Sequence, residues 1–469
     1  MNTGKEFMNG AITIRKWYFL GVECLAIKEN SVYKTYCFLK LPIWKIKRGT
    51  EKVTCKLFSF IPVLKYKQTV KDQYALLDEH YGNTLKLLHQ RVQKREKVRV
   101  GFYIIEVFQY ASVYEAMLKS DFFEPFIVVV PDVLRKGIMI ETMQRTYELL
   151  SSKYPNVYKG YDCNKNRYID FSKKLDIVFF GNPYLNMAHP YHFIWHMLKQ
   201  NILTCFQNYG FFTLLFGRDH IASLPFFNAC WKVFTDSEEN YQDLVEYQIR
   251  KGANAHVAGY FKMDKLAAIE PTASDRPRVL LCPHHTIDFK LLQLSNFLRF
   301  ADFFLELPSR YPQVDFIFRP HQLLHYNLTR YWSQERADAY YEKMMAHPNV
   351  RHDTGQDYMK TFVNSDAIIH DCGSFTAEYL FVNKPSCYML KDEEEVRKTF
   401  LPMGQKCLNQ YYLAYNEQDI CRFIEDVVLK GNDPLKEQRT EFSEKLKYNY
   451  PHAGEKVVEY IREQIMNCK

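Results

Sequence analysis

The sequence lacks the local patterns that mark several common classes of enzyme. It contains no P-loop, no G-x-G-x-x-G segment and no G-x-S-x-G segment. Kinase, dehydrogenase and α/β-hydrolase interpretations therefore lose their main support. It also lacks an H-E-x-x-H or comparable spacing of metal ligands, although histidines and an aspartate of suitable type occur at His284, His285, His321, His370 and Asp371. We therefore predict no metal site and no cofactor.

The chain also lacks the patterns of secreted and membrane-spanning proteins. Its 12 cysteines form no C-x-x-C pair and no regular framework, and most of them lie in apolar runs. This usage is typical of reduced core residues in a cytosolic protein. No segment reaches the roughly 18 uninterrupted apolar residues that a membrane span needs, and the N-terminus does not resemble a signal peptide. We expect a cytoplasmic protein.

The net charge of +8 is modest for 469 residues, but it is unevenly distributed. Residues 31–70 contain nine lysines and arginines against the single acid Glu51. Within this stretch the segment 42–47 (PIWKIK) returns as 62–67 (PVLKYK), so that apolar residues alternate with lysines. Such a segment is either a surface for anionic lipid head groups or a solvated hairpin. Because no other nucleic-acid-binding motif accompanies it, we predict no nucleic-acid partner.

Apolar strand-like runs alternate with helical periodicity through most of the chain. In the first series the runs are 98–105, 126–130, 176–180 and 202–206, with helical stretches at 71–97, 113–119, 140–154 and 193–199. In the second series the runs are 278–282, 315–318, 367–369 and 386–390, with helical stretches at 289–309 and 326–345. Continuous apolar strands between helices predict parallel sheets covered on both faces.

This alternation predicts an α/β fold with two doubly wound, Rossmann-like domains. The predicted boundaries are 1–70 for a basic aromatic N-terminal segment, 71–255 for the first domain, 256–415 for the second and 416–469 for C-terminal helices. A length of 469 residues with 47% hydrophobic content is sufficient for more than one core.

Polar residues follow three strands of the second series, where a parallel sheet binds its ligand. They occur at 283–286 (PHHT), 319–322 (RPHQ) and 370–374 (HDCGS). The last group also precedes a predicted helix start at Phe375, and the N–H groups of such a turn suit a phosphate. Arginine and histidine neutralise phosphate charge, and hydroxyl groups bond its oxygens. The three loops therefore predict a nucleoside-diphosphate site.

Four of these segments, in order, resemble the CDP-glycerol glycerophosphotransferases of the teichoic-acid polymerase type, which have the GT-B fold. Segment 259–264 (GYFKMD) is similar to the family's Gly-Tyr-Pro-x-x-Asp, and segment 281–286 to its apolar strand followed by Pro-Thr-Trp-Arg. Segment 319–321 is similar to its Lys/Arg-x-His-Pro, and segment 365–374 to its Ala-Asp-x-Leu-Ile-Thr-Asp-Tyr-Ser-Ser. The resemblance implies two Rossmann-like domains facing a cleft, with the donor in the second domain and the acceptor in the first.

The sequence departs from this family where the chemistry would occur. The family's Trp-His-Gly-Thr, whose histidine is the expected base, corresponds to 207–211 (QNYGF), which has no histidine. We predict that another histidine serves, in the order His189, His220 and His192, with His285 as the alternative from the second domain. The complete candidate set is His321, His285 and His189 for catalysis and His284, Thr286, Arg319, Asp371, Gly373, Ser374 and Glu378 for donor binding.

The resemblance implies a transferase that moves a glycerophosphate-like group from a CDP-activated donor, such as CDP-glycerol, to a glycan or lipid-linked, teichoic-acid-like acceptor. Two alternatives remain open: a GT-B glycosyltransferase that uses a nucleotide sugar in capsule or lipopolysaccharide synthesis, and a non-catalytic binding protein of the same machinery. A sugar-nucleotide 2-epimerase shares the fold but would normally lack the basic N-terminal segment. We expect a peripheral location at the inner face of the cell membrane, where the basic segment meets anionic lipid.

Overall fold

The computed structural model describes residues 70–288, 292–355 and 358–468, with side chains from residue 74 onward, and the backbones of seven strands between residues 2 and 67. The chain divides into two compact units, residues 1–80 and 81–469.

The first unit contains a sheet of seven antiparallel strands in sequence order, each paired with the next. The strands are β1 (Asn2–Asn9), β2 (Ile12–Phe19), β3 (Val22–Glu29), β4 (Tyr33–Phe38), β5 (Leu41–Arg48), β6 (Lys52–Leu57) and β7 (Ile61–Lys67). The two repeated segments fall on β5 and β7, so both are strands. The predicted cationic face concerns side chains that lie outside the described residues.

The second unit begins with a seven-stranded parallel sheet in the order β10-β9-β8-β13-β14-β15-β16. Its strands are β8 (Val98–Ile104), β9 (Phe123–Val129), β10 (Val157–Lys159), β13 (Ile177–Phe180), β14 (Leu203–Phe206), β15 (Lys232–Thr235) and β16 (Ala255–Val257). A two-stranded hairpin, β11 (Tyr161–Asp162) and β12 (Arg167–Tyr168), lies outside it. The strand order reverses between β8 and β13, which is where doubly wound sheets bind ligands.

A second parallel sheet has the order β19-β18-β17-β20-β21-β22. Its strands are β17 (Arg278–Cys282), β18 (Asp315–Phe318), β19 (Val350–His352), β20 (Ala367–His370), β21 (Ser386–Met389) and β22 (Tyr412–Ala414). Every residue of β20 and β21 is buried, as continuous apolar runs predict for strands covered on both faces. The order reverses between β17 and β20. The prediction of two doubly wound sheets is confirmed.

Helices cover both sheets of the second unit. They are α1 (Val70–Gln93), α2 (Ala111–Leu118), α3 (Met139–Ser151), α4 (Ile194–Leu198), α5 (Leu215–Gly217), α6 (Pro225–Ala229), α7 (Glu238–Tyr247), α8 (Phe297–Arg310), α9 (Leu324–Tyr331), α10 (Gln334–Met345), α11 (Met359–Asn364), α12 (Phe375–Glu378), α13 (Glu393–Lys398), α14 (Pro402–Leu408), α15 (Glu417–Arg422), α16 (Lys436–Leu446) and α17 (Ala453–Met466). None of the described helices combines the length and apolar character required to cross a membrane.

Several elements differ from the sequence-based expectation. The helix predicted from Phe289 begins only at Phe297, because the Asn296 N–H donates to the Asp371 carboxylate and the preceding residues, Leu292 and Leu294, line a cleft. Strands β10, β15, β16, β19 and β22 were not predicted. Four of them have only three residues, and β15 (KVFT) contains only two apolar residues, so none contains a continuous apolar run of about four residues or more.

The last helix, α17, returns to the first parallel sheet. Its first N–H groups, from Ala453 and Gly454, donate to the buried carboxylate of Asp264 at 3.3 and 2.7 Å. Farther along the helix the Tyr460 ring stacks on His256 with ring centroids 3.7 Å apart. The C-terminal helical segment therefore links the two sheets, because α17 packs on the helix α2 that follows β8.

Candidate functional site between the two parallel sheets

A cleft of about 860 Å³ lies at the carboxyl ends of the strands of both parallel sheets. The first sheet contributes Glu106, after β8, and the segment Asn208–Thr213, after β14. The second sheet contributes the three loops singled out from the sequence, after β17, β18 and β20. These three strands are adjacent in the order β18-β17-β20, so the prediction that their loops meet at one cavity is confirmed.

Backbone hydrogen bonds extend the pairing of β17 and β18 into their loops. The Arg319 N–H donates to the Leu281 carbonyl at 2.8 Å, and the His321 N–H donates to the Pro283 carbonyl at 3.0 Å. These bonds place His321 beside the loop that contains His284 and His285. The pairing of β17 with β18 thus brings together His285 and His321, which are 36 residues apart in sequence.

Three histidine rings form a cluster in the cleft. The ring centroids of His284 and His285 are 4.5 Å apart, those of His285 and His321 are 4.1 Å apart, and those of His284 and His321 are 5.1 Å apart. Burial lowers the pKa of His285 to about 4, and burial together with the neighbouring His285 lowers the pKa of His321 to about 3. Burial and the nearby His321 hold the pKa of His284 well below its ordinary value. All three rings are therefore neutral near pH 7.

The arginine of this site is held by its neighbours. Arg319 forms an ion pair with Asp353 at 2.8 Å and donates to the Gly355 carbonyl at 2.6 Å. Its guanidinium also lies 5.5 Å from the centre of the Tyr358 ring. These contacts fix the position of the guanidinium at the wall of the cleft, where it can contact an anionic ligand.

Asp371 was expected to contact the donor, but the structure buries its carboxylate beneath the loop and not in the cleft lining. The carboxylate accepts the N–H groups of His284 at 2.6 Å and Asn296 at 2.5 Å. Burial raises the pKa of Asp371 to about 7, against the lowering effect of these two hydrogen bonds. Asp371 therefore positions the histidine loop and does not contact a ligand in the cleft.

Glu378 was also expected at the donor site, and it too points away from the cleft. Its side chain is fully buried and accepts the Tyr260 hydroxyl at 2.7 Å and the Tyr358 hydroxyl. The Lys262 ammonium lies 3.4 Å from the same carboxylate and donates to the Tyr209 carbonyl at 2.8 Å. Glu378 therefore bonds the segment that follows the first sheet, residues 259–264, to the second sheet.

Gly373 and Ser374 lie at the point where the two sheets meet. The Thr213 hydroxyl donates to the Gly373 carbonyl at 2.9 Å, and a Cβ on Gly373 would lie 2.4 Å from a Leu214 methyl group. A Cβ on Gly210 would lie 3.2 Å from the Cβ of Ser374. Small residues on both sides therefore permit the segment after β14 to approach the predicted donor turn.

The histidines expected to supply the base do not reach the cleft. His189 stacks on Tyr168, with ring centroids 3.8 Å apart, and His192 is buried with its Nε2 bonded to the Ile169 carbonyl at 2.8 Å. His220 is exposed and packs against Phe216 at 4.7 Å. The loop after β13 turns His189 and His192 toward the β11-β12 hairpin, and His220, which follows α5, faces solvent. None of the three lines the described cleft.

Sequence reasoning missed several residues of the cleft. Glu106 follows β8, so collecting the polar residues after the strands of the first sheet would have found it. Asn208, after β14, lies in the segment compared with the family's Trp-His-Gly-Thr but was not kept as a candidate, because an amide is a poor base. Asn327, which bonds His285, gave no sequence indication, because it lies inside α9. The family-like segment at 259–264 has an architectural role: Gly259 has a φ of +88°, and Asp264 accepts the first N–H groups of α17.

Comparison with protein-family models finds no matching family, and comparison with curated proteins finds no matching sequence. Among solved structures, the chain is similar to a variant of the wall teichoic acid polymerase TagF soaked with CDPG, at 13% identity and a TM-score of 0.53, over 79% of this chain and 90% of that chain. A second TagF variant has 12% identity and a TM-score of 0.51, over 82% and 94% of the two chains.

The chain is also similar to the UDP-GlcNAc 2-epimerase from Neisseria meningitidis bound to UDP-GlcNAc, at 14% identity and a TM-score of 0.50. That match covers 78% of this chain and 100% of the epimerase. Identities this low concern the fold alone. The structural matches, together with the two parallel sheets and the cleft between them, show that this chain has the GT-B fold, with two doubly wound Rossmann-like domains.

Proposed function

We propose that this protein is a transferase that moves a polyol phosphate group from a CDP-activated donor, such as CDP-glycerol, to a glycan or lipid-linked acceptor of the teichoic-acid type. The observation that supports it best is the convergence of three strand-end loops of the second sheet on one cleft. These loops present Arg319, a cluster of histidines and Ser374, which are groups suited to a diphosphate. The segment resemblance to the glycerophosphotransferases, and a TagF relative soaked with CDPG, favour this donor class.

In the proposed reaction an acceptor hydroxyl attacks the β-phosphorus of the donor. A new oxygen–phosphorus bond forms, the diphosphate anhydride bond breaks, and CMP leaves with the electron pair. The hydroxyl proton passes to a base or to water. The groups of the second sheet hold the diphosphate, and the Glu106 and Asn208 side of the cleft receives the acceptor.

Binding and transfer should be measured separately. Thermal shift with CDP-glycerol, CDP-ribitol, CMP, UDP and UDP-GlcNAc identifies the nucleotide, and transfer of labelled glycerophosphate to a lipid-linked acceptor identifies the reaction. We expect His321→Ala and Ser374→Ala to reduce transfer by about tenfold to a hundredfold. His347→Ala is the matched control, because its ring lies in the same half of the molecule, bonded to Ser309, outside the cleft lining. Wild-type turnover and affinity in both cleft variants would contradict the site assignment.

The same cleft suits a nucleotide sugar, and the epimerase relative bound to UDP-GlcNAc favours testing it. In a glycosyltransferase, the acceptor would attack the anomeric carbon and a nucleoside diphosphate would leave. The released nucleotide distinguishes the two reactions: CMP indicates phosphotransfer, and UDP or CDP indicates glycosyl transfer. Binding without turnover of any donor would instead indicate the non-catalytic alternative.

We further propose that the basic segment at residues 31–70 holds the enzyme at the anionic inner face of the membrane. The nine basic residues against one acid in that stretch support the proposal. Each basic residue near such a surface contributes about 1 kcal/mol to binding. A membrane location would bring the cleft to lipid-linked acceptors.

A further inference from the structure

The histidine cluster has the composition of a metal site. One ring nitrogen from each of His284, His285 and His321 lies within 4.8 Å of those of the other two. Three imidazoles at this spacing are a familiar ligand set for zinc. Whether they bind a cation or an anion depends on which nitrogen of each ring carries the proton, because a metal needs an unprotonated nitrogen and an anion needs an N–H.

The hydrogen bonds at Nδ1 settle the tautomer of two rings. The Leu323 N–H donates to Nδ1 of His321 at 3.1 Å, and a backbone N–H can act only as a donor. The Asn327 amide nitrogen donates to Nδ1 of His285 at 3.1 Å and to the His285 carbonyl at 2.9 Å. The second bond fixes the orientation of the amide, since its oxygen would otherwise face a carbonyl oxygen. Both Nδ1 atoms are therefore acceptors.

The third ring follows the same pattern. The Thr286 hydroxyl lies 2.9 Å from Nδ1 of His284 and accepts the Leu294 N–H at 3.1 Å. Thr286 is buried, and among the described residues its hydroxyl has only these two hydrogen-bond contacts, of which Nδ1 of His284 is the only possible acceptor. The hydroxyl therefore donates to Nδ1. With all three rings neutral and all three Nδ1 atoms accepting, each ring carries its proton on Nε2, which has no partner among the residues that the structure describes.

This arrangement opposes metal binding. Ligation through Nε2 would require the proton to move to Nδ1, where in His285 and His321 it would face another N–H donor. A metal-bound histidine normally has the opposite second contact, a carboxylate or carbonyl that accepts the Nδ1 proton. Three N–H groups that open on one cleft suit the oxygens of an anion instead.

We propose that His284, His285 and His321 act as uncharged N–H donors that hold the oxygens of a phosphate or diphosphate group, and that they do not bind a metal ion. The inference rests on the proposed function for the identity of the full donor, but not for the chemistry of the cluster. The charged pair beside the cluster is Arg319–Asp353, next to His321. Beneath the loop lie Asp371, whose pKa burial raises to about 7, and His370, which is buried and neutral. The anion is thus bound mainly by oriented dipoles, and Asp371 positions the loop that carries two of them.

Side-chain replacements that imitate one ring nitrogen at a time test this proposal. The amide nitrogen of glutamine occupies roughly the place of Nε2, and that of asparagine roughly the place of Nδ1. In the full chain, with inorganic pyrophosphate as the probe in calorimetry, we expect His321→Gln to bind within about threefold of the wild-type Kd. We expect His321→Asn and His321→Ala to bind at least about tenfold more weakly. The same series at His285 guards against a folding defect at one position, and thermal unfolding checks each variant.

A second measurement observes the protons directly. In protein labelled with ¹⁵N-histidine, long-range ¹H–¹⁵N spectra at pH 7 should show the neutral Nε2–H tautomer for His285 and His321, assigned by their loss in the glutamine variants. Nδ1–H tautomers, imidazolium signals, or a zinc affinity that His321→Gln and His321→Asn reduce equally while pyrophosphate affinity is unchanged would overturn the proposal. Pyrophosphate binding with the expected pattern, but without turnover of any CDP or UDP donor, would uphold the cluster's chemistry and refute only the proposed transferase activity.

Discussion

The buried ion pair between Lys262 and Glu378 should be a major contributor to the coupling of the two halves of the cleft. The side chain of Glu378 is inaccessible to solvent and that of Lys262 is 9% exposed. Removal of one partner of such a pair costs about 3–5 kcal/mol, because the other charge stays buried without it. We therefore expect Glu378→Gln to lower the free energy of unfolding by about 3 kcal/mol or more. The Tyr260 and Tyr358 hydroxyls can still bond the new amide, but the Lys262 charge stays buried.

A double-mutant cycle tests this value. Combining Glu378→Gln with Lys262→Met removes both charges, and we expect the double variant to regain most of the lost stability. At roughly 2–4 °C per kcal/mol for domains of this size, the single variant should melt at least about 6 °C below the wild type. Donor affinity should fall with it, because Lys262 holds the Tyr209 carbonyl at the cleft.

A surface pair provides the control. Lys406 and Glu239 lie 3.1 Å apart, are each about half exposed and do not line the cleft, so Lys406→Met should cost less than about 1 kcal/mol of stability. Differential scanning calorimetry and pyrophosphate titration measure both effects. If the stability losses of Glu378→Gln and Lys262→Met, measured as free energies of unfolding, simply add in the double variant, the two charges do not interact and the reasoning is wrong.

Four further predictions concern other parts of the chain. Gly259→Ala should destabilise the protein by at least about 2 kcal/mol, because φ is +88° and the new Cβ would lie 2.1 Å from a backbone oxygen, whereas Gly431→Ala, with φ +71° and open space, should cost about 1 kcal/mol; equal thermal shifts would contradict this. Burial raises the pKa of Asp371 from its ordinary 3.8 to about 7, so the folded state holds this proton more tightly than the unfolded state. The resulting contribution to the free energy of unfolding is complete below about pH 4 and is lost as the pH rises to about 8. In urea unfolding, Asp371→Asn should therefore remove this decrease of stability with rising pH. His189→Ala should transfer at nearly the wild-type rate, because the ring stacks outside the cleft, and a loss of transfer with donor affinity retained would restore it as the base. Deletion of residues 1–68 should abolish salt-sensitive co-sedimentation with anionic vesicles, and unchanged sedimentation would favour the solvated-hairpin interpretation.

Parallel sheets bind ligands beyond the carboxyl ends of their strands, and this rule explains how much of the donor side could be predicted from sequence. Apolar runs of four or five residues marked β17, β18 and β20, and the polar residues directly after them lie at the cleft. The rule worked because the parallel direction of the strands places all their carboxyl ends on one edge. It gave His284, His285, His321, Arg319 and Ser374 without any knowledge of contacts.

The same rule could not assign a direction to each side chain. Asp371 lies in the correct loop, yet its carboxylate turns inward because the N–H groups of His284 and Asn296 require an acceptor there. Glu378 turns inward to bond Tyr260, and His189 stacks on Tyr168, which belongs to a hairpin that was not predicted. Each outcome depends on a partner more than 20 residues away, which no local pattern contains.

The sequence by itself determined the class of fold and the donor half of the cleft, because periodicity and the placement of polar residues after strands are local properties of the chain. Only the tertiary structure decided the chemistry of the histidines. The partners Leu323, Asn327 and Thr286 choose which nitrogen of each ring carries the proton, and burial keeps the rings neutral. The sequence shows three histidines, but the hydrogen bonds at their Nδ1 atoms distinguish a site for an anion from a site for a metal.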